Sequence, residues 1–423
     1  MNQRRYFLGA AGAMALSRKI SAASSDGVRI GMIGMGGRGN ALMTQEIKRN
    51  PTARLTHLCD VDQARLEKAQ ANAEKAGFGK VRGSADLRRV LEDKEVDAVV
   101  IATPDHWHAP ATILACAAGK DVYVEKPVSH NLREGRLMVE AARKYNRVVQ
   151  AGMQSRSRPS TLRAIEIAHS NRLGRVLMAK AWNSQHREDI GKKANASVPA
   201  GLDYDTWVGL AEMMPFNENR LHYKWHWNWN FGTGDMGNDG AHQIDQARWA
   251  LGADLPKKVS GSGAKYYFQD DQQTPDTMNL TFDYGSKGLV WKMRIWHDYG
   301  LEGIDNGVAV YGTEGFLHIG RWNRKWGYRI FDKLGKLADE YQDSEPDFHM
   351  KNFLDCVISR GRPNCDIEIG HLSSSHCHLG NIVYRTGRNL TFNAVSETIA
   401  NDAEANAMLR RKYRAHWATP KGV

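Results

Sequence analysis

Three stretches of the 423-residue chain carry residue types whose spacing can do chemistry. Gly34-Met35-Gly36-Gly37-Arg38-Gly39 has the GxGxxG pattern, and Asp60 ends a second apolar run 21 residues after Gly39. Glycines let backbone N–H groups approach a pyrophosphate, a helix N-terminus favours its charge, and a carboxylate accepts from ribose hydroxyls. Asp60 would repel a 2′-phosphate, which favours NAD over NADP, while Arg38 keeps NADP open. Thr103-Pro104-Asp105-His106-Trp107-His108 ends a later apolar run. His106 and His108 lie only two apart with no third ligand nearby, so packing against the nicotinamide half of a cofactor is favoured over a metal, and no metal site is expected. Glu125-Lys126-Pro127 closes the next such run. A lysine beside a desolvating cofactor can exchange a proton with a substrate hydroxyl. A surface lysine before a turn proline is the competing reading.

The most unusual stretch is His222 to Asp245, with aromatics at Tyr223, Trp225, Trp227, Trp229 and Phe231. If extended, these share one face, and Trp225, Trp227 and Trp229 could stack on sugar C–H faces; packing of a long loop is the alternative. Past the glycines the pattern turns helical, which places Asn238 and His242 near a helix start. A histidine there, near its ordinary pKa of ~6.5, is a usable base.

The elements that must position these groups alternate. Val28–Ile33, Leu55–Asp60, Val96–Ala102, Asp121–Val124 and Val148–Gln150 read as strands. Ala41–Asn50, Gln63–Ala76, Ala109–Ala118 and Leu132–Tyr145 read as helices. This βα rhythm predicts a Rossmann-type doubly wound parallel sheet over 27–152, with all three motifs at the carboxyl edge of its strands. From 153 to 423 the rhythm changes to a helix from Pro159, a strand at Val176–Trp182 and hairpins around Gly285-Ser286-Lys287 and Gly312-Thr313-Glu314-Gly315. A second α/β domain with an open, mainly antiparallel sheet is expected, closed by a helix near Ser373–Arg388 and a tail.

Composition bounds the rest. Hydrophobic residues at 42% and charged residues at 25% describe an ordinary globular protein. The 58 Lys and Arg against 47 Asp and Glu leave a net charge of +11. Four of those charges (Arg4, Arg5, Arg18, Lys19) precede any acidic residue, and a further excess lies in the C-terminal tail, so no basic face for nucleic acid is expected. Arg4-Arg5-Tyr6-Phe7-Leu8, an apolar stretch and small residues at Ser21, Ala22 and Ala23 form a signal-peptide layout over residues 1–25. The arginine pair resembles the twin-arginine export signal, which implies a periplasmic or exported protein, and no stretch reaches membrane-spanning length. Five cysteines without a CxxC read as buried free thiols.

Together the glycine turn, Asp60, Thr103-Pro104, Glu125-Lys126-Pro127 and Gly240-x-His242-x-x-Asp245 resemble the Gfo/Idh/MocA oxidoreductase family, in its order and spacing over nearly the whole chain. The C-terminal run from Asn352 to Arg414 looks like the subgroup with twin-arginine leaders. The resemblance implies a Rossmann domain followed by an α/β domain whose open sheet often mediates oligomerisation, here a homodimer or tetramer. It further implies that Lys126 hydrogen-bonds the reacting hydroxyl, that Pro127 follows a cis bond and that His242 accepts the proton. Where many members have an aspartate four residues before that histidine, this chain has Asn238, which can position a hydroxyl but cannot take its proton. Cofactor contacts are expected from Gly34 to Gly39, Asp60, Thr103, Pro104, Asp105, Trp107, His108, Glu125, Lys126 and Gln154. Substrate contacts are expected from Gln154, Arg156, Tyr223, Trp225, Trp227, Asp239 and His242.

Two functions compete on this basis. One is oxidation of a secondary hydroxyl of a sugar or sugar derivative by tightly held NAD. The other is a redox-neutral glycosidase that oxidises, eliminates and reduces again. In the glycosidase branch of the family the position of Lys126 is not lysine and a Tyr-Pro-Thr-His segment replaces the one around His242, which favours the oxidoreductase.

Overall fold

The structure is a computed structural model that describes residues 27–300 and 303–423; the expected leader lies outside the described residues. Val28-Arg29-Ile30-Gly31-Met32-Ile33 forms β1 (Val28–Ile33), buried along almost its whole length as a central parallel strand covered on both faces must be. The chain continues through α1 (Gly37–Ala41), which runs on as a π-helical turn at Leu42–Ile47, then β2 (Ala53–Cys59), α2 (Gln63–Lys75), β3 (Arg82–Ser84), α3 (Leu87–Glu92) and β4 (Ala98–Ile101). It goes on through α4 (Asp105–Ala117), β5 (Asp121–Val124), α5 (Leu132–Lys144) and β6 (Val149–Ala151). These strands form one parallel sheet of order β3-β2-β1-β4-β5-β6. Strand order reverses between β1 and β4, which opens a crevice at their carboxyl ends. Asp62 and Asn131 cap α2 and α5 by accepting from backbone N–H groups of the first turn.

Two helix starts differ from expectation. α1 begins at Gly37, not Ala41, so the glycine turn itself supplies the first helical residues. α4 begins at Asp105 rather than Ala109: Pro110, which suggests a first turn, stands inside the helix, and the His106-Trp107-His108 segment is helical.

The second domain holds α6 (Pro159–His169), β7 (Val176–Asn183), α7 (Tyr204–Val208), α8 (Gly234–Asn238), α9 (Gly240–Leu251), β8 (Lys258–Ala264), β9 (Thr277–Asp283) and β10 (Gly288–Arg294). It continues with β11 (Asn306–Gly312), β12 (Gly315–Trp322), β13 (Lys325–Asp332), β14 (Leu337–Gln342), α10 (His349–Ser359), α11 (Ile367–Thr386), β15 (Leu390–Asn393), β16 (Thr398–Ile399) and α12 (Ala403–Ala407). Its ten strands form a mixed sheet of order β14-β13-β12-β11-β7-β10-β9-β8-β15-β16, antiparallel except for β7 beside β10. α6, α9 and α11 pack on this sheet. α10 returns to the first domain, where Met350, Phe353 and Leu354 share a core with β1 and Tyr123. All five cysteines are free and buried. Among the described residues no helix is long and apolar enough to cross a membrane, and no side-chain cluster fits a metal ion.

Candidate active site

The crevice between β1 and β4 widens into a cavity of about 630 Å³ lined by both domains. Gly34, Gly36, Gly37 and Arg38 form its floor. Gly34 has φ +89°, and a Cβ there would lie 2.7 Å from the Ala102 carbonyl carbon, so β1 can pass β4 only without a side chain. A Cβ at Gly37 would meet nothing within 4 Å, leaving open space over the start of α1. Gly39 and Met35 are buried beneath the turn and do not line the cavity. The Asp60 carboxylate accepts from the N–H of Met35 (2.7 Å) and of Asp62 (3.0 Å) while lining the cavity. Burial pushes its pKa up against those two bonds. Unshielded backbone at a helix start, a carboxylate on the adjoining strand and a cavity of this size fit a dinucleotide.

Arg38 also lines the cavity, with one of its donors engaged. Its Nε donates to Glu125 Oε1 at 2.8 Å. Burial pushes the Glu125 carboxyl up, but the charges of Arg38 and Lys126 outweigh it and hold the pKa below its ordinary value. Gln154, expected to touch cofactor and substrate, does not line the cavity. Its amide donates to Tyr123 Oη (2.7 Å) and Glu125 Oε1 (3.2 Å), so it fixes Glu125 from behind.

Lys126 follows β5, is joined to Pro127 by a cis peptide bond, and lines the cavity. Its Nζ donates to the Asn238 carbonyl (2.6 Å) and to Asn238 Oδ1 (2.9 Å), leaving one N–H for a ligand. Asn238 closes α8 and also lines the cavity, and its Nδ2 donates to Asp235 Oδ1 at 2.9 Å. The amide is thereby oriented with oxygen toward lysine and nitrogen toward carboxylate. Asp235 is fully buried, which raises its pKa, and Arg187 faces it from behind. Asp239 pairs with the same Arg187 and does not line the cavity, contrary to its expected substrate role.

His242 stands in the first turn of α9. Burial, and next the charge of Lys126, push its pKa down to about 4, so the ring is neutral at neutral pH and can accept a proton. It feels the charges of Lys126, Glu125 and Asp239 but is not among the residues lining the cavity.

Several expected contacts are structural instead. Asp105 is buried, with its pKa pushed up to about 7 by desolvation, and accepts from Thr233 Oγ1 at 2.7 Å rather than facing the cavity. His106 is fully buried between the carbonyls of Trp207 (2.9 Å) and Phe231 (3.3 Å), so it packs the domain junction and not a nicotinamide. His108 lines the cavity with Thr103, Pro104 and Trp107, its ring held by the carbonyls of Pro127 (2.6 Å) and Thr103 (2.8 Å). Arg156 is 4% exposed and pairs in bidentate fashion with Asp245 (2.8 and 2.9 Å), far from any role in orienting substrate. Lys224–Trp227 is a 3-10 helix, which removes the shared aromatic face. Tyr223 and Trp225 line the cavity, Trp227 is buried outside it, and Trp229 packs near Tyr384.

The sequence reading missed the cavity wall formed by Arg65, Leu202, Thr206, Trp207, His222 and His226. Leu202 bridges to Asp62, and the Gly201 carbonyl accepts from the Gln63 N–H at 3.0 Å, folding residues 200–226 over the glycine turn. Arg65 stands beside Gly36, where it offers a cation to a pyrophosphate. Residues so distant along the chain leave no local pattern; only the histidine-rich aromatic run around His226 hinted at this wall.

Comparison with known proteins accords with this geometry. Residues 28–153 match the oxidoreductase family model with an NAD-binding Rossmann fold, and residues 180–419 match the model of that family's C-terminal α/β domain. The scyllo-inositol 2-dehydrogenase (NAD(+)) of Bacillus subtilis is 26% identical over 346 residues, 79% of this chain and 88% of the relative. The aldose-aldose oxidoreductase of Caulobacter crescentus, solved with glycerol, superposes with a TM-score of 0.67 at 17% identity, covering 86% of this chain and 100% of that one. The WlbA dehydrogenase of Bordetella pertussis, solved with NADH and UDP-GlcNAcA, gives 0.66 at 18% identity over 87% and 98%. At such identities the two solved structures share the fold. The chain belongs to the Gfo/Idh/MocA family of oxidoreductases, with its NAD-binding Rossmann domain and C-terminal α/β domain.

Proposed function

We propose that the protein oxidises a secondary hydroxyl of a sugar or sugar derivative with a tightly held NAD. The observation that carries this reading is the Lys126 ammonium, fixed by both oxygens of Asn238 at the wall of the dinucleotide cavity with one donor unused. Bound NAD supplies the two-electron acceptor. Lys126 donates to the substrate oxygen and stabilises the negative charge that grows on it. Asn238, held by Asp235, keeps the ammonium in place. His242, neutral at neutral pH and within reach of the Lys126 charge though set back from the cavity lining, is assigned the hydroxyl proton on the family resemblance.

The test is direct. Supernatant from the denatured, purified protein should contain nicotinamide, and a carbohydrate panel should raise the near-ultraviolet absorbance of the reduced cofactor in the wild type but not in Lys126→Ala. Absence of both signals refutes the reading. Release of an aryl aglycone without added NAD would instead support the redox-neutral glycosidase. Export through a twin-arginine signal, with the cofactor loaded before transport, rests on residues 4–23 alone. A homo-oligomer formed through the ten-stranded sheet belongs to the same reading and rests on the family resemblance.

A further inference from the structure

The basic tail after α12 takes no part in the chemistry above, yet it is fastened to both domains where they line the cavity. From the second domain, α7 brings Thr206 and Trp207 to the cavity, with Leu202 just ahead of it. The first domain contributes Asp60, Leu87 and Trp107. Arg414 and Trp417 of the tail do not line the cavity themselves.

A helix of five residues leaves its last carbonyls without intrahelical partners. Those of α7 are taken up from two directions. Arg414 Nη2 donates to the Asp205 carbonyl (2.6 Å), Nη1 to Asp205 Oδ1 (2.6 Å) and Nε to the carbonyl of Gly209, which ends the helix. The Arg414 N–H donates to the Leu210 carbonyl at 3.2 Å. From the first domain, Trp107 Nε1 on α4 donates to the Trp207 carbonyl at 3.0 Å. Gly209 has φ +58°, and a Cβ there would lie 2.5 Å from the Trp107 ring, so the end of α7 rests directly on that indole. Trp417, three residues past Arg414, packs on the same indole with ring centroids 5.8 Å apart. The guanidinium of Arg88 on α3, next in the chain to Leu87, stands 4.5 Å over the Trp417 ring. Ahead of Arg414, Tyr413 Oη donates to Glu134 Oε1 on α5 at 2.8 Å. Arg414 therefore grips α7 from a tail that is anchored to the first domain on either side of it.

We infer that Arg414 and Trp417 form a clasp that sets how slowly NAD leaves the protein. They are positioning residues: they hold α7 against α3 and α4, so the walls around a bound dinucleotide part only when the tail lets go. Local opening of a fastened segment governs the escape of an enclosed ligand, and differences of this kind appear mostly in the dissociation rate. The inference rests on the tight holding of NAD proposed above and is independent of the sugar.

The experiment follows exchange of the cofactor bound to the purified full-length protein for fluorescent 1,N6-etheno-NAD. The wild type should exchange slowly enough to keep its nicotinamide through gel filtration. Arg414→Ala and Trp417→Ala should exchange at least about tenfold faster, the equivalent of losing one charge-assisted hydrogen bond or stacked cation. Trp417→Phe, which keeps an aromatic face for Arg88, should restore most of the slow rate. Arg388→Ala, which removes an exposed ion pair with Asp402 and Glu404 and reaches neither wall, should leave it unchanged. Trp417 is 40% exposed, so Trp417→Ala folds even if Arg414→Ala does not. Alanine variants that exchange at the wild-type rate overturn the clasp and leave tight holding standing. Equal acceleration in Arg388→Ala means general loosening and also overturns it. A wild type that loses its nicotinamide in gel filtration overturns the clasp and tight holding together, while sugar oxidation with added NAD would still stand.

Discussion

Replacing Arg156 with leucine separates a substrate role from a structural one. The Arg156 and Asp245 side chains are 5% and 1% exposed, meet at 2.8 Å, and the guanidinium also lies 4.3 Å over the Trp249 ring. At 2.8 Å and an effective dielectric constant of about 20, the gross attraction is about 6 kcal/mol. Desolvation of two buried charges offsets most of this, so the pair adds little over an apolar equivalent, yet removing one partner alone strands the other. Asp245 would keep only Ser373 Oγ at 2.6 Å and Arg248 at 3.7 Å. Arg156→Leu is therefore expected to cost about 3–5 kcal/mol of unfolding free energy at pH 7, read by urea denaturation. The double variant Arg156→Leu/Asp245→Leu should recover only part of this loss, because the buried Arg248, 3.7 Å from Asp245, then loses that carboxylate. The pH dependence has a definite sign. In wild type, burial pushes the Asp245 carboxyl up but Arg156 outweighs it and holds the pKa below 3.8, so its stabilisation is lost only as pH falls through that depressed value. Without Arg156, burial wins and the pKa rises above its unfolded value. The penalty is then full at neutral pH and shrinks as pH falls, so the gap between variant and wild type should narrow from pH 7 to pH 4.5. A variant with unchanged stability and a raised KM for sugar would refute this account and return Arg156 to the substrate site.

Gly34→Ala forces a side chain into φ +89° and against the Ala102 carbonyl. It should lower stability by about 1–3 kcal/mol and remove nicotinamide from the purified protein, which denaturation and absorbance will check. His242 has a pKa of about 4, so kcat/KM for oxidation should stay free of its protonation from neutral pH down to about pH 5 and fall below that; a limb near 6.5 that vanishes in His242→Asn would contradict the assignment. Asp105 has a folded pKa of about 7 against an ordinary 3.8, so its burial costs stability increasingly as pH rises from 4 to 7, by up to about 4 kcal/mol. Asp105→Asn should gain on wild type across that window, and equal Tm differences at pH 5 and pH 8 would sink the point.

The sequence by itself determined the parallel first sheet, the glycine turn with Asp60, and Lys126 and Asn238 at the cavity, because these depend on local pattern: buried β-branched runs, a turn that tolerates no Cβ, and residues that end strands or begin helices. It also pointed to NAD, and Asp60, the carboxylate that reading rests on, lines the cavity. Tertiary structure alone decided which polar residues face the cavity. Arg156, Asp105, His106 and Asp239 have the residue types of a site, yet each is taken by a partner 50 to 130 positions away: Asp245, Thr233, Trp207 and Arg187. Nothing local marks such pairings, since a buried charge is satisfied by whatever the fold brings to it. The same holds for the wall of residues 200–226. Sequence placed reactive groups on the correct edge of the correct strands, and long-range burial chose which of them remain free to react.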